Sequence, residues 1–354
     1  MSGGRWGIDG HNRPEFLDRL RAQGFSQAYA GGPFEAWRAG ARAAFEGLLP
    51  RLPAGWAARA PAVICAVERD GLVLERLVLE GPWCPVPALV LRPAGPGPFP
   101  AVLLLHDHGS RFDIGKEKLV PAWDDAARLA SGVEWAGRFY GGRFVGEALA
   151  RKGFLVLCAD ALGWGEREGN GYEAQQALAC TLMLAGASLA GVIAREDVAA
   201  AQALAARDDV RGVAALGFSL GGFRAWQVAA LCETVAATVA VNWMATLEGV
   251  TRAGNNQLRG QSAFSMTHPG AAALFDYPDM AGLAAPRPLF VQAGAQDALF
   301  PPDSVETALA RLRHLWRAAG APAALATAIR PGGHQFGVEA QEESLAWLAA
   351  AMGP

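Results

Sequence analysis

The stretch "VAALGFSLGGFRAW", residues 213–226, sets a serine between two glycines, directly after an apolar run and directly before helical spacing. Val213 to Leu216 reads as a buried strand and Phe223 onward as a helix, so Gly217 to Gly222 must reverse the chain. A turn this tight holds its apex residue in a strained backbone conformation. Side chains two positions to either side would collide with neighbouring backbone, and Gly217 and Gly221 meet that need by lacking a Cβ. Ser219 is left at the apex, beside the unpaired N–H groups of a helix start, which favour negative charge developing next to its hydroxyl. The pattern is the G-x-S-x-G nucleophile elbow. A Gly-Ser-Gly turn also serves as a plain strand-to-helix connector, so the reading depends on partners elsewhere in the chain.

Those partners must be found in a chain of 354 residues, long enough for a sizeable core. Hydrophobic residues make up 52% and charged ones 18%, a globular balance. A net charge of −3 gives no reason to expect nucleic acid or an anionic membrane as partner. Cys65, Cys84, Cys158, Cys180 and Cys232 are an odd count without CxxC spacing, mostly in apolar runs, and read as core thiols in a reducing compartment. The start, "MSGGRWGIDGHNRPEF", carries no apolar signal-like run, and no later run has membrane-spanning length free of charge or Gly/Pro breaks. The expectation is a cytoplasmic protein.

Residues 1–60 carry helical spacing ("FLDRLRAQGF", "FEAWRAGARAAFEGLL") and read as an N-terminal helical extension packed on the main body. Their Trp, Phe and Leu suit either an intramolecular layer or a homodimer contact. Residues 61–354 read as one domain. "AVICAVERDGLVLERLVLEG" holds two strand-like runs around Asp70-Gly71, a strong hairpin signal, and "PVPALVLRPAG" adds a strand. Then "FPAVLLLHDHG", "GFLVLCADALGWGER", "VRGVAALGFSLGG", "VAATVAVNW", "RPLFVQAGAQD" and "ALATAIRPGGHQF" alternate with helical segments. This predicts an α/β fold: a mostly parallel twisted sheet, helices on both faces, preceded by an antiparallel hairpin. Two long irregular intervals, 110–150 and 244–285, are expected over the carboxyl ends of the strands, where ligands bind in such folds.

If the elbow is chemical, acids and histidines should follow other strands. Asp297 follows "PLFVQAGAQ" and His334 follows "ATAIRPGG". Each alone reads as well as a turn cap or a loop histidine bonded to backbone. Together, in the order Ser219, Asp297, His334 and each at a strand end, they point to a nucleophile, an orienting acid and a base.

With "LLLHDHGS" before a "KEK" insertion, "GFLVLCADALGWGER", "GFSLGG" and "FDYPDMAGLAAPRPLFVQAGAQDALFP", the chain resembles the α/β-hydrolase superfamily from about residue 60 to its end. More narrowly it is similar to the dienelactone-hydrolase-related, acetyl-xylan-esterase-like branch of bacterial hydrolases. The resemblance implies the α/β-hydrolase fold and acyl transfer to Ser219, with His334 as base and Asp297 orienting it. Oxyanion donors would be the backbone N–H of Leu220, which follows the nucleophile, and that of His108, placed by the resemblance. That branch commonly reads His-Gly-x-Gly where this chain has Asp107, a residue that adopts positive φ less readily than Gly. The chemistry calls for no cofactor.

Other side chains invite weaker readings. His106, Asp107 and His108 resemble a zinc set, but the sequence continues Gly109, Ser110, Arg111 rather than with an Asp-His pair, so no metal is expected. Asp160 is a candidate for fixing nearby loops, and Glu166 and Arg167 for lining the mouth, but a solvated loop charge is the preferred reading of all three. Trp164 and Trp243 follow strand ends and suit either a pocket wall or the core. His268 lies in the 244–285 interval and faces either substrate or surface. A small-molecule ester with a short acyl or acetyl group is the expected substrate. A lactone hydrolase, a small peptidase and a non-catalytic receptor on the same fold remain alternatives at this point.

Overall fold

The computed structural model describes residues 24–167, 171–252 and 261–353. Its centre is one nine-stranded sheet in the order β1-β2-β3-β5-β4-β6-β7-β8-β9. Strands β1 (Val63–Arg69), β2 (Leu72–Glu80) and β3 (Pro85–Pro93) run antiparallel to their neighbours, and β3 pairs antiparallel with β5 (Leu155–Ala159). The β1–β2 turn places Asp70 and Gly71 at φ 51° and 75°, the two left-handed positions that make Asp-Gly a hairpin signal. From β5 across β4 (Phe99–Leu105), β6 (Val210–Phe218), β7 (Val235–Val241), β8 (Leu289–Gly294) and β9 (Leu325–Arg330), every pairing is parallel.

A sheet covered on both faces needs strands that are apolar at every position. In β4, Ala101, Leu103 and Leu105 enter one core while Val102 and Leu104 enter the other. In β6, Val213 and Ala215 divide from Ala214, Leu216 and Phe218 in the same way. The first core receives α1 (Phe34–Glu46), α5 (Leu189–Ala205), α6 (Leu220–Leu231), α8 (Tyr277–Gly282) and α9 (Pro302–Ala318). The second receives α2 (Ala126–Phe139), α3 (Val145–Arg151) and α10 (Val338–Met352). Remaining helices are α4 (Gly171–Leu184) and the short α7 (Leu247–Thr251).

Of the helical spacing in residues 1–60, α1 is present and buries Phe34, Ala41 and Phe45 against the first core. The run "FLDRLRAQGF" lies outside the described residues except for its last two positions. The interval 110–150 is more ordered than its irregular sequence promises. It contains α2, capped by the Asp125 carboxylate, and α3. It also contains a single buried turn, Lys116–Lys118. The expectation of core thiols holds only for Cys158 and Cys232; Cys65, Cys84 and Cys180 are exposed. Apolar neighbours misled the reading because β1, which carries Cys65, is an edge strand exposed over most of its length. No single helix among the described residues is long and apolar enough to cross a membrane.

Candidate active site

At the end of β6, Ser219 adopts φ 56° and ψ −127°, a strained conformation for a residue with a side chain. Its N–H donates to the Val241 carbonyl at 2.9 Å, and its carbonyl accepts from Phe223 N as α6 begins. The flanking glycines are required by contact distance. A Cβ on Gly217 would meet the Gly221 carbonyl oxygen at 2.1 Å, and one on Gly221 would meet the Leu105 oxygen at 2.0 Å. The elbow is thereby pressed against the end of β4, and the Ser219 hydroxyl stands clear of it.

The structure brings Ser219, His334 and Asp297 together. The Ser219 hydroxyl lies 2.8 Å from His334 Nε2, and His334 Nδ1 lies 2.7 Å from Asp297 Oδ2. The other carboxylate oxygen of Asp297 accepts from Leu299 N at 3.0 Å. Asp297 is buried, while the imidazole stays partly open to the cavity. The loop carrying His334 is held from below by Asn242, whose Nδ2 donates to the carbonyls of Gly333 at 3.2 Å and Gln335 at 3.3 Å. Asn242 sits directly after β7 at φ 50°, a left-handed conformation that Asn tolerates better than most residues.

Beside Ser219 lies a cavity of about 250 Å³. Leu220 and His108 both line it, as do Phe139, Tyr172, Met266 and Leu299. The Leu220 N–H opens α6 and has no intrahelical acceptor. Asp107 is the one ionisable carboxyl among the described lining residues, and it is buried. A larger cavity of about 480 Å³ lies on the other side of the His334 loop, against Asn242, Gln292, Arg330 and Glu343, and touches neither Ser219 nor His334.

The three pocket candidates from sequence fall elsewhere. Trp164 is fully buried behind the 106–110 loop, donating from Nε1 to the His108 carbonyl at 3.1 Å. Trp243 is buried behind Met266, with Nε1 3.0 Å from its sulfur and its ring 4.6 Å from that of Phe223. His268 lines a separate apolar cavity of about 90 Å³ and bonds through Nε2 to Gln227 Oε1 at 2.5 Å. Burial pulls its pKa down to about 4, which keeps it neutral. Both indoles contribute more as core than at the mouth, because each N–H finds a partner inside, and His268 is buried with one ring nitrogen bonded.

Asp107 does not adopt positive φ; that role passes to Gly109 at 56° and Ser110 at 54°. His106 is engaged at both ring nitrogens: Nε2 accepts from Ala161 N at 3.1 Å, so Nδ1 carries the proton and donates to the Asp107 carbonyl at 2.9 Å. Neither nitrogen is left to ligate a metal. Arg167 is not a mouth residue, since it forms a largely buried bidentate pair with Glu196.

Sequence gave no warning of the charges beneath this loop. Lys116, Glu117 and Lys118 are all fully buried. The Lys116 ammonium lies 2.8 Å from Glu117, 2.6 Å from Asp160 and 2.7 Å from Glu166. Asp160 also accepts from the backbone of Lys116 and of Glu166, so it is no solvated loop charge but ties two loops to the end of β5. Three carboxylates within 4.8 Å of one another need a cation between them, and here it is covalently part of the chain. Burial lowers the Lys116 pKa, but Asp160 and Glu117 outweigh it and leave it raised. Lys116→Met is therefore expected to cost about 3–5 kcal/mol in urea denaturation at neutral pH, the cost of stranding buried charge. Crowding would raise the carboxyl pKa values in the folded variant, so protonation stabilises it and the deficit should shrink as the pH falls. A deficit that is small at neutral pH would show that the cluster is not holding the loops.

Comparison with known proteins agrees with this architecture. Residues 133–248 match the model of the Dienelactone hydrolase family, a segment that includes Ser219 and ends before Asp297 and His334. A relative in Bacillus subtilis (strain 168), named "Putative hydrolase YtaP", is 27% identical over 258 residues, covering 72% of this chain and 80% of its own. Among solved structures, a "putative acetyl xylan esterase" from Bacteroides fragilis NCTC 9343 aligns with a TM-score of 0.65 at 19% identity, covering 91% of this chain and 84% of its own. A glucuronoyl esterase from Solibacter usitatus aligns with a TM-score of 0.64 at 16% identity, covering 89% and 92%.

Proposed function

We propose, from the premise that this chain is an α/β-hydrolase related to the dienelactone hydrolase family, that it is a serine hydrolase cleaving carboxylic esters through an acyl-enzyme. The observation that carries the reading is the unbroken hydrogen-bond chain from the Ser219 hydroxyl through His334 to Asp297, mounted on a strained elbow. Ser219 Oγ attacks the ester carbonyl while His334 Nε2 takes its proton, and Asp297 stabilises the imidazolium. The N–H groups of Leu220 and His108 receive the tetrahedral oxygen. His334 then returns the proton to the leaving alcohol, and water repeats the sequence to free the acid.

A cavity of about 250 Å³, whose walls include Phe139, Tyr172, Phe218, Met266 and Leu299, favours a short acyl group, since pockets for drug-sized ligands run to roughly 300–1,000 Å³. The match to the dienelactone hydrolase family keeps a lactone within the same reading, as ring opening uses the same acyl transfer. Free thiols, three of them exposed, support a reducing, cytoplasmic setting.

A fluorophosphonate probe should label the peptide that contains Ser219. Among p-nitrophenyl esters, kcat/KM should be highest for acyl chains of about two to four carbons and fall at least about tenfold by eight, because one small cavity must hold the acyl chain and the leaving alcohol together. Acetylated xylan and a lactone belong in the same panel. Absence of labelling would mean a receptor rather than an enzyme, and a preference for long chains would overturn the short-acyl assignment.

A further inference from the structure

The buried ammonium of Lys118 has no part in the mechanism as described, yet its position bears on it. Lys118 Nζ donates to the Asp107 carbonyl at 3.0 Å and to the His108 carbonyl at 2.8 Å, and faces Asp107 Oδ2 at 3.7 Å. It also lies over the Trp135 ring, 5.3 Å from its centroid, and near that of Trp164. Two ammonium hydrogens thus meet carbonyl oxygens, the third lies within ion-pair range of the Asp107 carboxylate, and among the described residues no donor is aimed at the nitrogen. That site fits a cation and not a neutral amine.

The Asp107 carbonyl belongs to the same peptide group as the His108 N–H. That peptide is trans, so the N–H points opposite to the carbonyl. The carbonyl end is directed inward at Lys118 and at the proton on His106 Nδ1. The N–H end has no acceptor among the described residues, and Asp107 and His108 both line the cavity at Ser219. A cation on a carbonyl oxygen draws electron density from the amide and makes its N–H a stronger donor, and low local dielectric enlarges the effect.

We propose that Lys118 is a positioning residue of the oxyanion site: its ammonium polarises the Asp107–His108 peptide from behind and fixes the direction of the His108 N–H toward the oxygen that becomes negative. The proposal rests on the ester-hydrolase reading. It also accounts for the carboxylate at position 107. Asp107 partners a buried cation and is itself held by Trp135 Nε1 at 3.2 Å and by a short hydrogen bond from the Tyr140 hydroxyl. A glycine there would leave Lys118 without a counter-charge. Lys118 is a single residue performing two tasks, fastening the loop through two carbonyls and supplying charge where the transition state gains it.

The test is the pair Lys118→Met and Lys118→Gln, the second a neutral side chain that retains N–H donors. For both, folding is verified by circular dichroism and thermal unfolding, and kcat and KM are measured on a short-chain ester. The expected result is a kcat loss of roughly 100-fold for Met and a smaller one for Gln, with KM within about threefold of the native enzyme, as for a lost transition-state donor. The inhibition constant of a small alkylboronic acid, which forms a tetrahedral adduct on Ser219, should rise in parallel with the kcat loss. A folded Lys118→Met enzyme with kcat within about threefold of native, or with its loss mainly in KM, overturns the proposal. So does failure of both variants to fold, which would assign Lys118 to stability alone. Failure of the ester reading itself is seen separately, because the native enzyme would then neither label nor turn over any ester.

Discussion

Replacing Ser219 by Ala is expected to lower kcat on a short-chain ester by about 10⁶, with KM little changed and a residual rate still above that of water. The substitution removes one oxygen, at 2.8 Å from His334 Nε2, and among the described residues no other hydroxyl is bonded to that imidazole. Without it His334 has no nucleophile to deprotonate, and the Leu220 and His108 N–H groups are left to stabilise direct attack by water. Such residual catalysis is typically 10³–10⁴-fold over the uncatalysed reaction, so the variant should be slow and measurable. Stability should barely move: Ala keeps the Cβ at φ 56°, the backbone bonds to Val241 and Phe223 remain, and the lost contact faces a partly open cavity. Rates from enzyme free of native carry-over, together with the unfolding temperature, decide the matter. An alanine variant retaining even about one per cent of kcat would remove Ser219 from the reaction.

How far the sequence alone reaches is best seen residue by residue. The six parallel strands, the Asp70-Gly71 hairpin and the elbow are local features: continuous apolar runs, a turn dipeptide, and glycines where a Cβ would meet backbone at about 2 Å. Asp297 and His334 were legible because a parallel sheet delivers strand ends to one edge whatever the intervening helices do. What failed was side-chain destination. Trp164, Trp243 and His268 follow strand ends or lie in the right interval, but position along the chain does not say which side of a loop a ring packs on. Three consecutive charges in the "KEK" insertion carry no local signal of burial, because that burial depends on Asp160, Glu166 and Asp107, none of them at helical or strand spacing from it. Asn242 offered the one missed local signal, an Asn directly after an apolar strand, where a left-handed residue ends β7 and its amide reaches across to the His334 loop.

Exchanging Asp297 for Asn tests a different link, and about a 10⁴-fold loss of kcat is expected with KM preserved. In the native site Asp297 Oδ2 accepts the proton on His334 Nδ1 at 2.7 Å, which leaves Nε2 unprotonated and aimed at the Ser219 hydroxyl. Asn is nearly isosteric, and its Oδ1 can keep the bond from Leu299 N that orients the group. The amide nitrogen then occupies the Oδ2 position and donates to Nδ1, which must accept. The imidazole proton moves to Nε2, where it faces the serine oxygen and blocks general-base catalysis. A loss of 10⁴ corresponds to about 5.5 kcal/mol of barrier, far more than one neutral hydrogen bond contributes, because it reflects a wrong tautomer as well as a lost charge. The two substitutions act on one unit, so Ser219→Ala with Asp297→Asn should be no slower than Ser219→Ala alone, whereas independent contributions would multiply. Multiplying losses, or an Asn variant within about tenfold of native, would mean that His334 takes its orientation from the loop clamped by Asn242 and not from the carboxylate.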